Sequence, residues 1–208
     1  MIKYIIFDFD GTIANSQYAF VSAWNHLAEK HGFKKLEHDG LEDLKKLTIK
    51  ERSRLLNFPM YKLPIVMPDL YAAYRDSILD VTLFGGMKEL LNDLENKGYH
   101  IAIISSNSEE NIKEFLNRNG VKVTDILCSS RIFGKDKVIK KFLKSHNVQP
   151  SEVIYVGDEL RDIIACKKCN VKVIWVSWGF DSIEVVQSEN PDYMIQTPDE
   201  ILQIVKIS

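Results

Sequence analysis

The chain has 208 residues, which suits one domain or one domain with a modest insertion. Hydrophobic residues make up 45% and charged residues 27% of the sequence, as in a globular protein with a substantial core. The formal net charge of −2 argues against nucleic acid as a main partner, and no apolar stretch approaches the ~20 residues that cross a membrane.

The first predicted element is a strand over residues 5–7 that stops abruptly at Asp8, Asp10 and Gly11. A short apolar run bounded by turn residues is typical of a buried parallel strand. The two-residue period of a strand directs Asp8 and Asp10 to the same side, while Phe9 points the other way. Two carboxyl groups are therefore expected close together at the end of this strand.

Residues 15–82 are predicted to form a helical block without a strand. Apolar residues recur at helical spacing over 19–30, 41–56 and 70–79. Three prolines are expected to define loops between helices, namely Pro59, Pro64 and Pro68. A helical block inserted after the first strand predicts a small cap domain over residues 15–82.

From about residue 84 onward, strands and helices are predicted to alternate. The predicted strands are 99–104, 123–128, 153–156, 171–176 and 193–195, and the predicted helices are 87–96, 109–119, 136–146, 162–168 and 199–205. Alternation with short connections predicts an α/β core, with a mostly parallel sheet covered by helices on both faces. This core domain is expected to comprise residues 1–14 and 83–208.

The strand over residues 153–156 ends like the first one, at Gly157 and Asp158, with Asp162 four residues further on. In an open α/β sheet, the carboxyl ends of the strands line the crevice where ligands bind. Clustered carboxylates repel one another and normally require a cation to neutralise them. The two strand ends therefore predict a magnesium-dependent phosphoryl-transfer site.

Cysteine usage and the start of the chain both favour a cytoplasmic protein. The first strand begins almost at once, without the basic and apolar regions of a signal peptide. Three cysteines are an odd number, which fits reduced thiols better than a disulfide framework. Cys166 and Cys169 form a CxxC at helical spacing, and we expect a half-buried structural pair.

Four motifs resemble those of the haloacid dehalogenase-like superfamily, in order and near the usual spacing. They are DFDGT (8–12), IAIISSN (101–107), FGKDK (133–137) and GDELRD (157–162). The resemblance spans nearly the whole chain and implies a Rossmann-like, three-layer core with a small helical cap between the first two motifs. The segment Trp178-Gly179-Phe180 resembles one that is common in phosphoglycolate phosphatase-like members.

The resemblance implies catalytic roles for the first motif. Asp8 is the expected nucleophile, which attacks phosphorus and forms an aspartyl-phosphate. Asp10 lies beside the leaving group, where it can protonate the departing alkoxide and later deprotonate water. Gly11 permits a tight turn and a close backbone approach. Thr12 either hydrogen-bonds the acidic loop or is an ordinary turn hydroxyl.

The resemblance also implies a Mg²⁺ site. Its expected ligands are the carboxylates of Asp8 and Asp158 and the main-chain carbonyl of Asp10. Glu159 is a weaker candidate ligand. Asp162 is expected to orient a lysine or to support the site from a second layer, unless it is simply a solvated acid in the first turn of a helix.

Phosphate contacts are expected from a strand end and from a lysine. Ser105 takes the position of the family's small hydroxyl residue, and Ser106 or Asn107 can share its task. The family often has lysine followed by proline, and this chain lacks the proline, so the choice between Lys135 and Lys137 stays open. Lys135 is favoured because it directly follows the loop glycine.

The resulting hypothesis is a Mg²⁺-dependent phosphatase, phosphoglycolate phosphatase-like, that acts on a small phosphorylated metabolite as a monomer or weak homodimer. One alternative is a sugar phosphomutase that uses Asp8 and Asp10 but shields the aspartyl-phosphate from water. Another is a non-catalytic phosphate-binding module. One of the basic residues over 45–54 of the cap could recognise a second anionic group of the substrate, although solvated helix faces are commoner.

Overall fold

The computed structural model describes residues 1–37, 40–129 and 133–207. Its strands are β1 Tyr4–Phe7, β2 Ala14–Asn15, β3 Thr82–Leu83, β4 His100–Ser105, β5 Asp125–Cys128, β6 Val153–Gly157, β7 Lys172–Val176 and β8 Tyr193–Ile195. Six of them form one sheet in the order β5-β4-β1-β6-β7-β8, and every neighbouring pair is parallel. The predicted parallel sheet is therefore confirmed, with the first strand near its centre.

Helices cover both faces of this sheet. They are α1 Gln17–His31, α2 Leu41–Lys45, α3 Ile49–Leu55, α4 Leu63–Asp76, α5 Met87–Asn96, α6 Glu109–Asn119, α7 Lys135–His146, α8 Leu160–Lys167, α9 Ile183–Val186 and α10 Glu200–Ile207. None of the helices in the described ranges is long and apolar enough to cross a membrane.

Successive residues of the central strands pack into two different apolar clusters. In β1, Ile5 and Phe7 belong to a cluster with residues of α5, α6 and α10, whereas Ile6 belongs to one with residues of α7, α8 and α9. In β6, Ile154 and Tyr155 divide in the same way. This alternation follows from the two-residue period of a strand and produces the three-layer α/β architecture that the sequence predicts.

Helices α1, α2 and α4, with the segments that connect them, form a third apolar cluster, which includes Trp24, Leu27 and Phe58. The chain leaves and re-enters the α/β core through adjacent segments, because β2 pairs antiparallel with β3. Asn15 is opposite Thr82 in this pair. The helical block thus has its own apolar interior, and its two chain connections to the core lie side by side.

Two details of the helical block differ from the sequence-based predictions. The prediction of one continuous helix over 41–56 is wrong, because a new helix, α3, begins after Thr48, which forms a capping box with Glu51. The prediction of loops at Pro64 and Pro68 is also wrong, because both residues lie within α4. Pro64 lies in the first turn, where no backbone donor is required, and packing of α4 against α1 outweighs the hydrogen bond that Pro68 lacks.

Candidate active site

The parallel register of the sheet brings the ends of three strands together. Phe7 of β1 is opposite Ile103 of β4 on one side and Val156 of β6 on the other. The residues that follow or end these strands therefore meet at the carboxyl edge of the sheet. Among them are Asp8 and Asp158.

Lys135 joins two of the predicted site residues. Its ammonium Nζ lies 2.5 Å from Asp8 Oδ2 and 2.5 Å from Asp162 Oδ1, and its side chain is only 1% exposed. Burial alone would lower the pKa of Lys135, but Asp162 and Asp8 outweigh burial and raise it, so the ammonium stays charged. Lys137 is exposed. Of the two lysines considered, the structure brings Lys135 into the site.

The two carboxyl groups that Lys135 contacts are both hard to ionise. Burial raises the pKa of Asp8 above its usual range, and the Lys135 ammonium opposes that shift. Burial likewise raises the pKa of Asp162 to about 6 against the same ammonium. Lys135 is therefore the group that favours the ionised form of Asp8, the form a nucleophile requires.

Asp10 is held by two neutral donors. The Tyr74 hydroxyl donates to Asp10 Oδ1 at 2.8 Å, and Asn107 Nδ2 donates to Asp10 Oδ2 at 2.9 Å. Burial raises the pKa of Asp10, and the hydrogen bonds from Tyr74 and Asn107 offset part of the rise. Tyr74 lies on α4 and was not identified from the sequence, where it reads only as an apolar position of a helix.

The Tyr74 contact leads to a testable prediction. Tyr74→Phe removes a donor that lowers the pKa of Asp10, so this pKa should rise further. If Asp10 acts as an acid, it works protonated, and the alkaline limb of the kcat/KM profile should move up by about one pH unit. Tyr71→Phe is the matched control, because Tyr71 donates to the Ser106 carbonyl and not to Asp10. If the alkaline limb of the kcat/KM profile does not move in Tyr74→Phe, the role of Tyr74 in setting the pKa of Asp10 is contradicted.

The Asp158 carboxylate is enclosed by the loops that follow β1 and β7. Thr12 Oγ1 donates to Asp158 Oδ1 at 2.8 Å, and the Phe180 N–H donates to Oδ2 at 2.7 Å. Gly11 has a φ of +76°, and a Cβ on it would lie 2.4 Å from Asp158 Oδ2. A Cβ on Gly179 would lie 2.1 Å from Asp158 Cβ. Only glycine leaves room for Asp158 at these two positions.

Two neighbours of Asp158 in the GDELRD segment also face the site. Arg161 donates to the Glu159 carboxylate, and its Nη1 donates to Ser106 Oγ at 3.2 Å. Residues 159–161 are variable positions in the sequence motif, so the motif did not point to Arg161.

The Ser105 side chain lies at the end of β4, where its Oγ accepts the Asn107 N–H at 3.1 Å.

The acidic residues of this edge provide oxygen ligands for a cation. Within the described part of the chain, Asp8, Glu159 and Asp162 offer oxygens that lie within 4.8 Å of one another. This group differs from the predicted Asp8, Asp10 and Asp158. The two Asp158 oxygens each accept a hydrogen bond. Each carboxylate oxygen retains a second lone pair, so these bonds leave Asp158 able to bind an ion.

The charge balance of the site also fits a divalent cation. Burial raises the pKa of Asp158 well above its usual range, and the carboxylates of Glu159 and Asp8 raise it further. Within the described residues, Lys135 binds Asp8 and Asp162, and Arg161 binds Glu159. Neither contact supplies a positive charge to Asp158. An oxygen-rich, electron-rich site of this kind suits Mg²⁺.

Comparison with known proteins agrees with this geometry. The sequence profile described as "Haloacid dehalogenase-like hydrolase" matches residues 5–176. A protein from Synechococcus elongatus named "Phosphoglycolate phosphatase" is 28% identical over 203 residues, which cover 97% of this chain and 96% of that protein. A "Pyrophosphatase PpaX" from Halalkalibacterium halodurans is 22% identical over 216 residues, which cover 99% and 98%.

The fold agrees as well. A solved structure of a haloacid dehalogenase-like family hydrolase from Streptococcus pneumoniae superposes with a TM-score of 0.82 at 20% identity, covering 98% of each chain. The matched range 5–176 contains β1 and β6, whose ends carry the acidic cluster, and β4, which ends at Ser105. The chain is a member of the haloacid dehalogenase-like hydrolase family, as its motifs predict.

Proposed function

We propose that this protein is a Mg²⁺-dependent phosphatase that hydrolyses a small phosphomonoester through an aspartyl-phosphate on Asp8. The observation that carries the proposal is the buried contact of Lys135 with Asp8, next to Asp10 and Asp158 at one edge of the sheet. Relatives named phosphoglycolate phosphatase and pyrophosphatase support a phosphoryl-transfer activity.

In the first step, an Asp8 carboxylate oxygen attacks phosphorus, and the bond from phosphorus to the leaving oxygen breaks. Asp10 gives its proton to that oxygen, so the product leaves as an alcohol. In the second step, Asp10 takes a proton from water, which attacks the phosphorus of the aspartyl-phosphate. Phosphate is released and Asp8 is regenerated. The Lys135 ammonium and the Ser105 and Ser106 hydroxyls stabilise the charge of the phosphoryl oxygens.

Magnesium would be held by Asp8 and Asp158, with the Asp10 carbonyl and with Glu159 as a further candidate. When bound, it reduces the repulsion between the anionic nucleophile and the anionic phosphate. The surrounding residues keep both carboxyl groups in place: Thr12 holds Asp158, and Lys135 holds Asp8.

Removal of the metal should abolish the activity. We expect phosphate release with millimolar Mg²⁺ and a fall of at least about 10³-fold after treatment with EDTA, restored by added Mg²⁺. Phosphate release without isomerised sugar phosphate also separates the phosphatase from a phosphomutase. Full activity in EDTA would contradict the metal dependence, and a folded protein that hydrolyses no phosphomonoester would overturn the proposed function.

Calorimetry of Mg²⁺ binding can distinguish the two neighbouring acids. Asp158→Asn is expected to weaken binding at least about tenfold, because metal sites lose affinity when a ligand is neutralised. Glu159→Gln is the matched change one residue away, and a smaller loss is expected there because Arg161 already neutralises Glu159. A larger loss of Mg²⁺ affinity in Glu159→Gln than in Asp158→Asn would assign the ligand role to Glu159.

We further propose that residues 15–82 form a cap domain that controls access to the site. Its separate apolar cluster and the paired β2 and β3 connections support this division. One of the contacts between the block and the core is made by Arg52 of α3, which donates to the Phe180 carbonyl at 2.9 Å and lies 2.5 Å from Asp181 Oδ1. Asp181 Oδ2 accepts the N–H of Leu160, the first residue of α8.

Loss of this attachment should be measurable. Arg52→Met leaves the Asp181 carboxylate, 3% exposed, without its guanidinium partner. We expect about 2 kcal/mol of destabilisation in urea at pH 7.5, less than for a fully buried pair because Arg52 is partly exposed. The loss should be smaller at pH 5, because burial raises the pKa of Asp181 to about 6 and the group is then protonated. Arg54→Met, an exposed change on the same helix, should stay within about 0.5 kcal/mol.

We also propose that the protein works in the cytoplasm, as a monomer or weak homodimer. All three cysteines are free, and Cys166 and Cys169 are buried, as suits a reducing compartment. Size-exclusion chromatography with light scattering over a concentration series tests the oligomeric state, and a stable higher oligomer would contradict it.

A further inference from the structure

The candidate active site opens into a second space inside the helical block. A cavity of about 220 Å³ is lined by Asp10, Ser106 and Asn107 of the site. The same cavity is lined by apolar residues of the third cluster, among them Trp24, Leu27, Leu56, Phe58 and Val66. A group attached to a phosphate beside Asp10 would therefore extend into the apolar interior of the cap.

The cations in the described lining of this cavity already have anionic partners. Lys45 lies 2.8 Å from Glu42, Arg52 lies 2.5 Å from Asp181, and Arg161 binds Glu159. A second carboxylate or phosphate on the substrate would have to share one of these cations with the carboxylate that it already contacts. The expectation that a basic cap residue recognises a second anionic group therefore receives no support from these contacts.

The physical chemistry of the cavity favours an apolar occupant. A second charge placed there loses its hydration without gaining an unpaired counter-charge, whereas an alkyl or aryl group gains from leaving water. An engineered apolar cavity of about 150 Å³ admits benzene. The 220 Å³ available here has room for a ring with a short substituent or for a chain of similar size.

We propose that the substrate of this protein is a phosphomonoester with an uncharged, apolar alkyl or aryl leaving group, seated in the cap cavity lined by Trp24, Leu27 and Val66. The inference rests on the proposed phosphatase function and names its substrate class. The proposed substrate differs from those in the names of the relatives, phosphoglycolate and pyrophosphate, each of which carries two anionic groups.

The test is the kcat/KM for n-alkyl phosphates from ethyl to hexyl, beside 2-phosphoglycolate and pyrophosphate, all with Mg²⁺. The leaving alcohols of this series have nearly the same acidity, so differences within it report contacts with the alkyl chain. We expect kcat/KM to rise about fourfold per methylene until the cavity is full. The kcat/KM for hexyl phosphate should then exceed that for 2-phosphoglycolate.

Two substitutions on α4 provide a matched pair. Met67 lines the cavity, and Met67→Trp should lower the ratio of hexyl to ethyl phosphate kcat/KM at least tenfold. Ile65 is 69% exposed and lies outside the described lining, so Ile65→Trp should leave the ratio unchanged. Calorimetry on Asp8→Asn adds a binding readout, in which the heat capacity change should become more negative with chain length.

Failure of the inference and failure of the proposed function give different results. If phosphate is released with Mg²⁺ but kcat/KM does not rise along the alkyl series, or is highest for 2-phosphoglycolate or pyrophosphate, the inference alone is overturned. If a folded protein hydrolyses none of these compounds, the proposed function is overturned and the inference with it. A rising series in the wild type supports the inference even if Met67→Trp does not fold.

Discussion

Replacement of Asp8 by asparagine is expected to reduce phosphate release by at least about 10⁴-fold while the protein stays folded. An amide is a poor nucleophile and forms no acyl-phosphate, so the first step is lost. The fold should survive because Lys135 retains its second partner, Asp162, at 2.5 Å. The measurement is steady-state phosphate release, together with circular dichroism of the variant.

A covalent readout makes the Asp8 prediction specific. Acid quenching of the wild-type enzyme during turnover of a ³²P-labelled substrate should trap label that base releases, as an acyl-phosphate requires. Asp8→Asn should trap none. Asp93→Asn, an exposed change on α5, is the control and should retain both label and activity. Turnover that survives Asp8→Asn would rule out the aspartyl-phosphate mechanism.

Replacement of Lys135 by methionine should have the largest effect on stability. It leaves two buried carboxyl groups, Asp8 and Asp162, without their ammonium partner, and breaking such a contact costs about 3–5 kcal/mol. Phosphate release should fall by at least about 10²-fold because a preorganised positive group is lost from the transition state. Chemical denaturation and phosphate release measure the two effects.

The pH dependence of the Lys135→Met deficit has a definite sign. Burial holds the pKa of Asp162 at about 6 in the folded wild type, above its usual value of 3.8, and loss of Lys135 raises it further. A carboxyl group with a raised folded pKa contributes stability at low pH that is lost as the pH rises through that pKa. The deficit should therefore be smallest near pH 4 and grow through pH 6 and above.

Lys137→Met is the matched control for Lys135→Met. Lys137 is exposed, so its loss should change the free energy of unfolding by less than about 0.5 kcal/mol and leave activity unchanged. A large loss in Lys137→Met with a normal Lys135→Met would assign the phosphate-binding role to the other lysine.

The elements that carry Asp8 and Asp158 could be predicted because strand ends are marked in the sequence by apolar runs followed by acid and glycine. The choice between Lys135 and Lys137 could not be made in this way. Residues two apart in a helix face nearly opposite sides, so the choice depends on where α7 begins and on how it packs. The structure places that start at Lys135.

Contacts between the helical block and the core could not be predicted from local patterns in the sequence. Tyr74 reaches Asp10 from 64 positions away, and its register on α4 depends on how that helix packs. The break before α3 is a different case. The capping box of Thr48 and Glu51 is visible in the sequence, but the apolar periodicity over 41–56 continues across it.

The central position of β1 has a consequence for how the protein is made. Both hydrogen-bonded neighbours of this strand come much later in the chain, since Tyr4 is opposite His100 in β4 and Val153 in β6. On the ribosome, the strand before Asp8 is therefore synthesised before either partner and completes its pairing only after β6 has emerged. The helical block, with its own apolar cluster, can collapse in the meantime. Such long-range pairing is slow to form, and an unpaired apolar β1 would then be exposed to other nascent chains.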